Sequence, residues 1–456
     1  MKNNYSIKFW LLNAVQMIER LAYWITIIQI PIYIAQKDVP GGLHFAQTTK
    51  GLIFFWWALV QNLTPVFWGA VSDKIGQKRS LFISSIVIII GYCLLATQRE
   101  FLLFLFGTLV LGFGLGSYKP AIQGWIAKEI EGRNTSLGWG IYIFLVNLSV
   151  FAGPILSIYL KNISWQAVFF GSATIFSLNL ILLSFIKYNY SEIIRNKQIF
   201  KELFQVIMTP KIIFFILIMS GFTITYMQFY ETLPNYIFDW SDTSSIAKYL
   251  PDFMTSETVR GRMIAYEWIY NLNSGLVVLL VLVMAKITNK IKITRTLTFG
   301  ILFAGLGLFV AGYSQSGIFL VFGVVCYTLG ELTVNPKFPE YIANIAPKTN
   351  KSLYLGIMNI SWAIGLAGGG LIGGWLYKHH AEKAYFAKIL LENKGIKGIQ
   401  LQDAFTKAQE VTGMNAAELT NHLWQIHNPS VIWYPFLILS ILSVIGMNYY
   451  SNKYDR

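Results

Sequence analysis

Four charged side chains fall inside long apolar stretches of this chain, where an unpaired charge is costly. Glu19 and Arg20 lie in the first stretch, Lys119 in the fourth and Glu331 in the tenth. Ionisable groups at membrane depth usually mark paths for substrates, ions or protons. We therefore treat all four as candidates for binding or proton transfer. The alternatives are a structural clamp for Arg20, a membrane-surface position for Lys119 and a structural role for Glu331.

The stretches that hold these charges have the length and composition of membrane-spanning helices. Hydrophobic residues make up 55% of the 456 residues and charged residues only 13%, against roughly 25% charged in a soluble domain. A bilayer core takes about 20 apolar residues per helix. The predicted fold class is therefore an all-α membrane protein. Its twelve spans are 7–34, 49–70, 80–97, 100–122, 136–160, 165–187, 212–230, 264–285, 296–314, 317–339, 352–377 and 431–450.

The formal net charge of +14 indicates membrane topology and not a nucleic-acid surface. Lysines and arginines cluster in the two tails and in the loops after even-numbered spans, which is typical of cytoplasmic segments. We predict a multi-pass protein of the bacterial cytoplasmic (inner) membrane, with both termini in the cytoplasm. The long loop 378–430 is then periplasmic, with a helix expected after Asn415. Structural decoration is its favoured role, and a lid or a partner surface is the alternative.

Enzymatic and cofactor chemistry is not indicated. The two cysteines, Cys93 and Cys326, each lie in an apolar span, so neither a disulfide nor a thiolate metal site is expected. All five histidines fall in predicted outer loops, and no cluster of nucleophile, base or metal ligands is visible at membrane depth. We expect no cofactor, no metal and no enzymatic activity.

Residues 74–153 reappear at residues 290–369 at one constant offset, so that spans two to five echo spans eight to eleven. A repeat held without gaps indicates two six-helix bundles, the architecture of major facilitator transporters, with a substrate site between them. We predict bundles at 1–187 and 212–456, joined by a basic cytoplasmic linker at 188–211. Among the matched positions are Lys74 and Lys290, Gly91 and Gly307, Gly114 and Gly330, and Gly153 and Gly369.

The loop after the second span carries a local motif. Residues 69–79 read GAVSDKIGQKR, which matches the G-x-x-x-D-[RK]-x-G-x-[RK]-[RK] signature of major facilitators. The motif combines a glycine turn between helices, an acid near a helix end and a group of cations. We interpret Asp73 as part of a gating hinge and not as a substrate contact. A merely positive loop after a helix is the alternative.

Helix geometry predicts two relationships among the buried charges. Neighbouring residues on a helix point about 100° apart, so we expect Glu19 and Arg20 to serve different neighbours. The repeat aligns Lys119 with Asn335, about one turn or roughly 6 Å from Glu331. We therefore expect an ion pair between Lys119 and Glu331 that joins the two bundles and is replaced by substrate charges during gating.

Aromatic and amide side chains complete the candidate site. Tyr23, Trp24 and Trp268 are candidates for a cavity wall, although such residues more often belong to the core or to the membrane interface. Asn147 and Asn273 need hydrogen-bond partners in apolar helices. This requirement favours either a substrate contact or a link between helices.

Five short segments of the chain carry a common pattern. They are 16–24 (QMIERLAYW), 119–120 (KP), 146–149 (VNLS), 271–274 (NLNS) and 330–336 (GELTVNP). Taken together, these segments resemble the proton-dependent oligopeptide transporter family of the major facilitators. The resemblance implies proton-coupled symport of di- or tripeptides by alternating access, and a uniporter or exporter of another small zwitterionic or polar solute is the alternative. Implied partners are a small-molecule substrate, protons and the lipid bilayer, with no nucleic acid.

The resemblance also implies roles for individual residues. Glu331 would receive the amino terminus of a peptide, and Lys119 would attract its carboxylate. Glu19 and Arg20 would take part in proton coupling. Further substrate contacts would come from Tyr23, Trp24, Asn147, Asn273 and Trp268, the last in a side-chain pocket.

The chain departs from the family pattern at three positions. Gln16 stands where the first glutamate of the helix-one motif is expected, and it cannot titrate. Ile27 replaces a basic residue, and the acidic partner expected in span seven is replaced near Gln228. We therefore expect an outer gate without a salt bridge, and a carboxylate site that depends largely on Lys119.

Overall fold

A computed structural model describes residues 5–131, 135–187, 208–345 and 351–454 of the chain. In these residues, eleven helices are long and apolar enough to cross a membrane. The 23-residue helix Tyr266–Thr288 occupies the remaining predicted span. The prediction of a twelve-span, all-α membrane protein is therefore confirmed. Most of the predicted linker 188–211 lies outside the described residues, and the proposed bundle boundaries stay a prediction.

The helices are numbered here in chain order. The first seven are α1 (Ile7–Ile27), α2 (Ile30–Ala35), α3 (Gln47–Ile75), α4 (Gln77–Thr97), α5 (Phe101–Ile130), α6 (Thr135–Ile163) and α7 (Trp165–Phe185). The next six are α8 (Pro210–Glu231), α9 (Leu233–Trp240), α10 (Ser244–Ala247), α11 (Tyr266–Thr288), α12 (Ile293–Tyr313) and α13 (Gly317–Ile345). The last five are α14 (Lys351–His380), α15 (Lys383–Asn393), α16 (Leu401–Thr412), α17 (Ala416–His427) and α18 (Tyr434–Tyr454).

A small hairpin and two short 3-10 turns complete the described structure. Strands β1 (Thr255–Thr258) and β2 (Gly261–Ile264) pair antiparallel between α10 and α11. The 3-10 turns are Asp252–Met254 and Pro429–Trp433. The hairpin lies in the connection before α11. This connection is far longer than the corresponding connection in the first half of the chain.

Local sequence signals explain where several helices begin. The Ser6 hydroxyl accepts from the Phe9 N–H and starts α1, and Ser164 caps α7 in the same way. The predicted helix after Asn415 is α17, where Asn415 and Glu418 form a complete capping box. The loop 378–430 is therefore largely helical, with three helices of 11, 12 and 12 residues.

The chain divides into two compact units. Unit one comprises residues 1–29, 56–208 and 352–363, and unit two comprises residues 30–55, 209–351 and 364–456. Within unit one, α1 packs on α6 and α7, while α4 packs on α5 and α7. Within unit two, α12 packs on α13 and α18.

The sequence repeat reappears in the way helices pack within each unit. A methyl group added at Gly91 of α4 would lie 2.7 Å from the Leu111 Cα of α5. At the matching positions, one added at Gly307 of α12 would lie 2.2 Å from the Tyr327 backbone nitrogen of α13. Both helix pairs therefore meet backbone to backbone at equivalent glycines, which gives the repeat a structural basis.

Candidate functional site

A cavity of about 150 Å³ lies within unit one. Residues from α1, α3, α5, α6 and α14 line it, and we refer to it as the unit-one cavity. Glu19, Arg20 and Lys119 all face it, together with Gln16. The structure therefore brings three of the four membrane-depth charges to one place.

Glu19 and Arg20 form an ion pair with each other in this cavity. Arg20 Nε donates to Glu19 Oε2 at 2.5 Å, and a second guanidinium N–H bonds Glu19 Oε1. Gln16 Nε2 also donates to Glu19 Oε2, at 2.6 Å. The expectation that the two residues serve different neighbours is wrong, because the arginine side chain is long enough to bridge the angle between adjacent positions. Gln16 holds the same carboxylate by a hydrogen bond.

The two aromatic candidates of α1 differ in their surroundings. The Arg20 guanidinium lies over the Tyr23 ring, 4.8 Å from its centroid. Trp24 meets Tyr23 edge-on at 5.9 Å. A methyl group at Gly153 would lie 2.6 Å from the Trp24 Cβ, so α1 and α6 approach closely there. Tyr23 thus contacts the charged pair, whereas Trp24 lies at a helix contact, and their binding roles stay predictions.

Lys119 is an exposed residue of the cavity wall. Among the described residues, its ammonium group makes no hydrogen bond or ion pair. Since Glu19 neutralises Arg20, Lys119 supplies an unpaired positive charge to the cavity. Asn147 lies one residue after Val146 of the wall and donates to the Ile143 carbonyl of its own helix at 3.0 Å. Its contact with a peptide backbone stays a prediction.

Glu331 lies buried in unit two among neutral hydrogen-bond donors. Tyr226 Oη donates to Glu331 Oε1 at 2.6 Å, and Asn273 Nδ2 donates to Oε2 at 2.8 Å. Asn335 Nδ2 adds a longer bond of 3.2 Å to Oε1. Asn273 also reaches Thr328 Oγ1 at 2.9 Å and so links α11 to α13. Two predicted residues, Glu331 and Asn273, are in direct contact, and Tyr226 was missed by sequence reasoning.

The remaining predicted residues lie elsewhere. Trp268 Nε1 donates to the Phe253 carbonyl at 3.0 Å, and the two rings meet edge-on at 5.6 Å. Trp268 therefore holds the loop before the hairpin, and its side-chain pocket stays a prediction.

Lys119 belongs to unit one and Glu331 to unit two, and their ion pair also stays a prediction. Asp73 lies in α3, but its side chain is outside the described set, so its hinge role is untested.

Two further buried charges, in spans two and seven, were not predicted as site residues. Lys50 Nζ donates to the Glu231 backbone carbonyl at 2.8 Å and to Asn235 Oδ1 at 2.7 Å. The Glu231 carboxylate is buried, and within the described residues neither of its oxygens has a hydrogen-bond partner. Both residues fall at the edge of an apolar stretch, which makes them look like loop charges in the sequence. To recognise them as buried charges from the sequence, one would have had to know that the segments on either side of them are buried.

A second polar cluster in unit two surrounds Lys383, the first residue of α15. Its Nζ lies 3.2 Å from Asp38 Oδ2 and 3.7 Å from Asp239 Oδ1. Gln36 Nε2 donates to both carboxylates, at 2.6 and 2.7 Å, and Tyr377 Oη donates to Asp239 Oδ2 at 2.6 Å. We call these five residues the Lys383 network. Its cation comes from α15, which the family pattern does not indicate. The expectation of an outer gate without a salt bridge stays a prediction.

The two carboxylates of the Lys383 network are not equivalent. Burial acts to raise the pKa of Asp38, but Lys383 and Gln36 outweigh it and hold this pKa below its ordinary value. Burial raises the pKa of Asp239; Lys383 opposes that rise and Asp38 adds to it. Asp38 is therefore the more stable anion of the pair.

Comparison with known proteins gives a family match over most of the chain. The family model described as Major Facilitator Superfamily matches residues 12–256 and 243–387. The multidrug resistance protein MdtH of Shigella flexneri is 20% identical over 320 residues, 70% of this chain and 75% of that protein. MdtH of Yersinia enterocolitica is 21% identical over 341 residues, 74% of this chain and 79% of that protein.

Solved structures of the same fold include transporters for different solutes. A POT family transporter in complex with 5-aminolevulinic acid has a TM-score of 0.68 and 17% identity, covering 97% of this chain and 96% of that one. A peptide transporter POT mutant in complex with alafosfalin has a TM-score of 0.69 and 16% identity, covering 98% and 95%. A mutant of the nucleoside transporter NupG has a TM-score of 0.72 and 11% identity, covering 97% and 99%. These likenesses establish the fold.

Proposed function

Because the chain belongs to the major facilitator superfamily, we propose that it is a proton-coupled symporter of di- and tripeptides, a member of the proton-dependent oligopeptide transporters. The observation that carries the proposal is the surroundings of Glu331. A proton-coupled transporter of a zwitterion needs a site that responds to protons and to substrate charge. The buried carboxylate of Glu331 meets that need.

The argument from Glu331 is electrostatic. Its described hydrogen-bond donors, Tyr226, Asn273 and Asn335, are all neutral. A carboxylate buried among neutral groups carries a large desolvation cost, which a proton or a substrate ammonium group would remove. Glu331 thus supports both proton coupling and peptide binding, because either a proton or a substrate ammonium group can neutralise its carboxylate.

The unit-one cavity supports the recognition of the opposite charge. Lys119 faces the cavity without a described partner, whereas Arg20 is paired with Glu19. A peptide carboxylate would therefore be drawn to Lys119. One acid–base pair and one free cation suit a zwitterion together with a proton. In this proposal Glu19 and Arg20 contribute to proton coupling, and Glu231 beside Lys50 is a further buried acid for that role.

The proposed location follows from the charge pattern of the sequence. We place the protein in the bacterial inner membrane with both termini in the cytoplasm, and Asp73 at the cytoplasmic hinge between two helices. Segment 378–430 then faces the periplasm, which puts the Lys383 network on the periplasmic side of unit two. In an alternating-access cycle this network would open when the substrate site faces the periplasm.

A second candidate function is export or facilitated diffusion of another small polar solute. It is favoured by the MdtH relatives, which are named multidrug resistance proteins and span 70 to 74% of this chain. The neutral Gln16 in the helix-one motif also favours transport without proton coupling. In that case the buried charges would set only the balance between conformations.

Uptake of labelled dialanine into proteoliposomes with an imposed inward proton gradient distinguishes these functions. Accumulation that collapses with a proton ionophore, and with Glu331→Gln, is the expected result. The control is Glu392→Gln, an exposed acid on α15, which should transport normally. Equilibration without accumulation would mean a peptide facilitator. Absence of saturable uptake by the native protein would contradict the peptide function.

A further inference from the structure

The wall of the unit-one cavity is rich in carboxamides. Five of its fourteen lining residues carry this group, and the tyrosines Tyr118 and Tyr142 add two hydroxyls. A cavity for an apolar ligand would be lined mainly by aliphatic and aromatic surface, with few polar groups. The composition of this wall therefore points to a ligand with several hydrogen-bonding groups. The five carboxamide residues are Gln16, Gln61, Asn62, Gln123 and Asn359.

Three of these carboxamides already have partners inside the protein. Gln16 donates to Glu19 at 2.6 Å, Asn62 to the Ala58 carbonyl at 2.9 Å, and Gln123 to the Tyr142 hydroxyl at 3.3 Å. Within the described residues, the side chains of Gln61 and Asn359 make no hydrogen bond. These two amides are therefore available to a ligand, as is the ammonium group of Lys119.

Gln61 is also held in place by the packing of its helix. A methyl group at Gly116 of α5 would lie 2.7 Å from the Gln61 carbonyl oxygen and 2.8 Å from the Thr64 Cβ. The two helices thus touch at the backbone of Gln61, which fixes the origin of its side chain at the cavity wall. Asn359 comes from α14, more distant along the chain. A ligand bound by both amides and Lys119 would contact three separate helices.

We infer that Gln61 and Asn359 are specificity-determining residues, and that the cavity prefers anionic or zwitterionic solutes whose side chain carries a hydroxyl or a carboxamide. For the proposed peptide transport, on which this substrate class rests, the preferred peptides are hydrophilic ones. An apolar side chain in the cavity would strip water from both amides and return no hydrogen bond, and such unmade bonds are costly. A lipophilic cation would in addition meet the positive charge of Lys119.

The test compares two dipeptides of nearly equal shape, alanyl-glutamine and alanyl-methionine. Their dissociation constants are measured by calorimetry on the purified full-length protein in detergent. Native protein should bind alanyl-glutamine about tenfold more tightly, the ratio expected for one or two lost hydrogen bonds. Gln61→Met and Asn359→Leu should each reduce this ratio toward one. Gln425→Met, at an exposed position on α17, is the matched control and should keep the native ratio.

The outcomes separate this inference from the proposed function. Equal affinity for both dipeptides in the native protein would overturn the inference and leave peptide transport intact. If neither dipeptide binds, the peptide function fails, and the same comparison is made with N-acetylglutamine and N-acetylmethionine. A tenfold preference for N-acetylglutamine that depends on Gln61 would support the inference for a transporter of other anions. Equal or undetectable binding of both would overturn it.

Discussion

The ammonium group of Lys383 lies 3.2 Å from the carboxylate of Asp38, although 345 residues separate them along the chain. Only 3% of the Lys383 side chain is exposed, against 28% of Asp38. A lysine is rarely buried to this degree without compensation. The contact therefore ties the first helix of segment 378–430 to the loop after α2, and the role of the segment in transport stays a prediction.

Removing Lys383 should destabilise unit two. Lys383→Met leaves Asp38 and Asp239 without the cation that lies between them, and breaking a buried pair in this way costs about 3 kcal/mol. The unfolding midpoint of purified protein in detergent should fall accordingly. Lys407→Met is the control, since its pair with Glu410 is solvent-exposed and is worth less than about 1 kcal/mol. Equal midpoints for the two variants would contradict a structural role for Lys383.

Asp38 should confer stability that depends on pH. Its pKa is depressed in the folded protein, so its contribution is complete above the unfolded value of about 3.9 and is lost as the pH falls through the lower folded value. Asp38→Asn should therefore lower the unfolding midpoint at pH 7, and the difference from native should shrink in acid below about pH 4. The exposed Asp252, which pairs with Arg262, offers the control Asp252→Asn. A difference that grows on acidification would contradict the assignment.

Arg20 and Lys119 should respond differently to the same substitution. Arg20→Met leaves the buried Glu19 carboxylate without its cation, and the free energy of unfolding should fall by about 3 kcal/mol. Adding Glu19→Gln should restore much of that loss. Lys119→Met breaks no described contact, so stability should change by less than about 1 kcal/mol. Binding of an anionic substrate to this variant should instead weaken about tenfold. Strong destabilisation by Lys119→Met would show that Lys119 has a structural partner.

Gly330→Ala should be poorly tolerated because α12 and α13 meet at this residue. The added methyl group would lie 2.3 Å from the Ala304 backbone nitrogen, and the backbone has to shift to relieve such a clash, at a cost of about 2 kcal/mol or more. Gly140→Ala in α6 has open space around it and should be neutral or stabilising by up to about 1 kcal/mol. Expression level and thermal unfolding of both variants provide the measurement. Equal tolerance would mean that α12 and α13 separate readily at Gly330.

The helical spans were predictable because hydropathy and length report directly on the bilayer. Contacts between charges were less predictable. The spacing of Glu19 and Arg20 gives only the directions in which their side chains leave the helix. It does not account for the length and flexibility of the arginine side chain. Sequence spacing also does not predict the contact between Lys383 and Asp38, because that contact depends on the tertiary structure that brings distant parts of the chain together. The need of Asn273 for a hydrogen-bond partner in an apolar helix was predictable, but its contact with Glu331 was not, because the sequence does not show which side chains face each other between helices.

The glycine contacts at Gly91 and Gly307 limit where the molecule is able to flex. Two helices whose backbones touch have no layer of side chains between them to shear, so α4 with α5 and α12 with α13 each move as a single rigid piece. Bending during transport must then occur in helices without such contacts along their length. Spin labels or fluorophores placed within either rigid pair would report constant separations, and they would serve as internal rulers for motion elsewhere in the same unit.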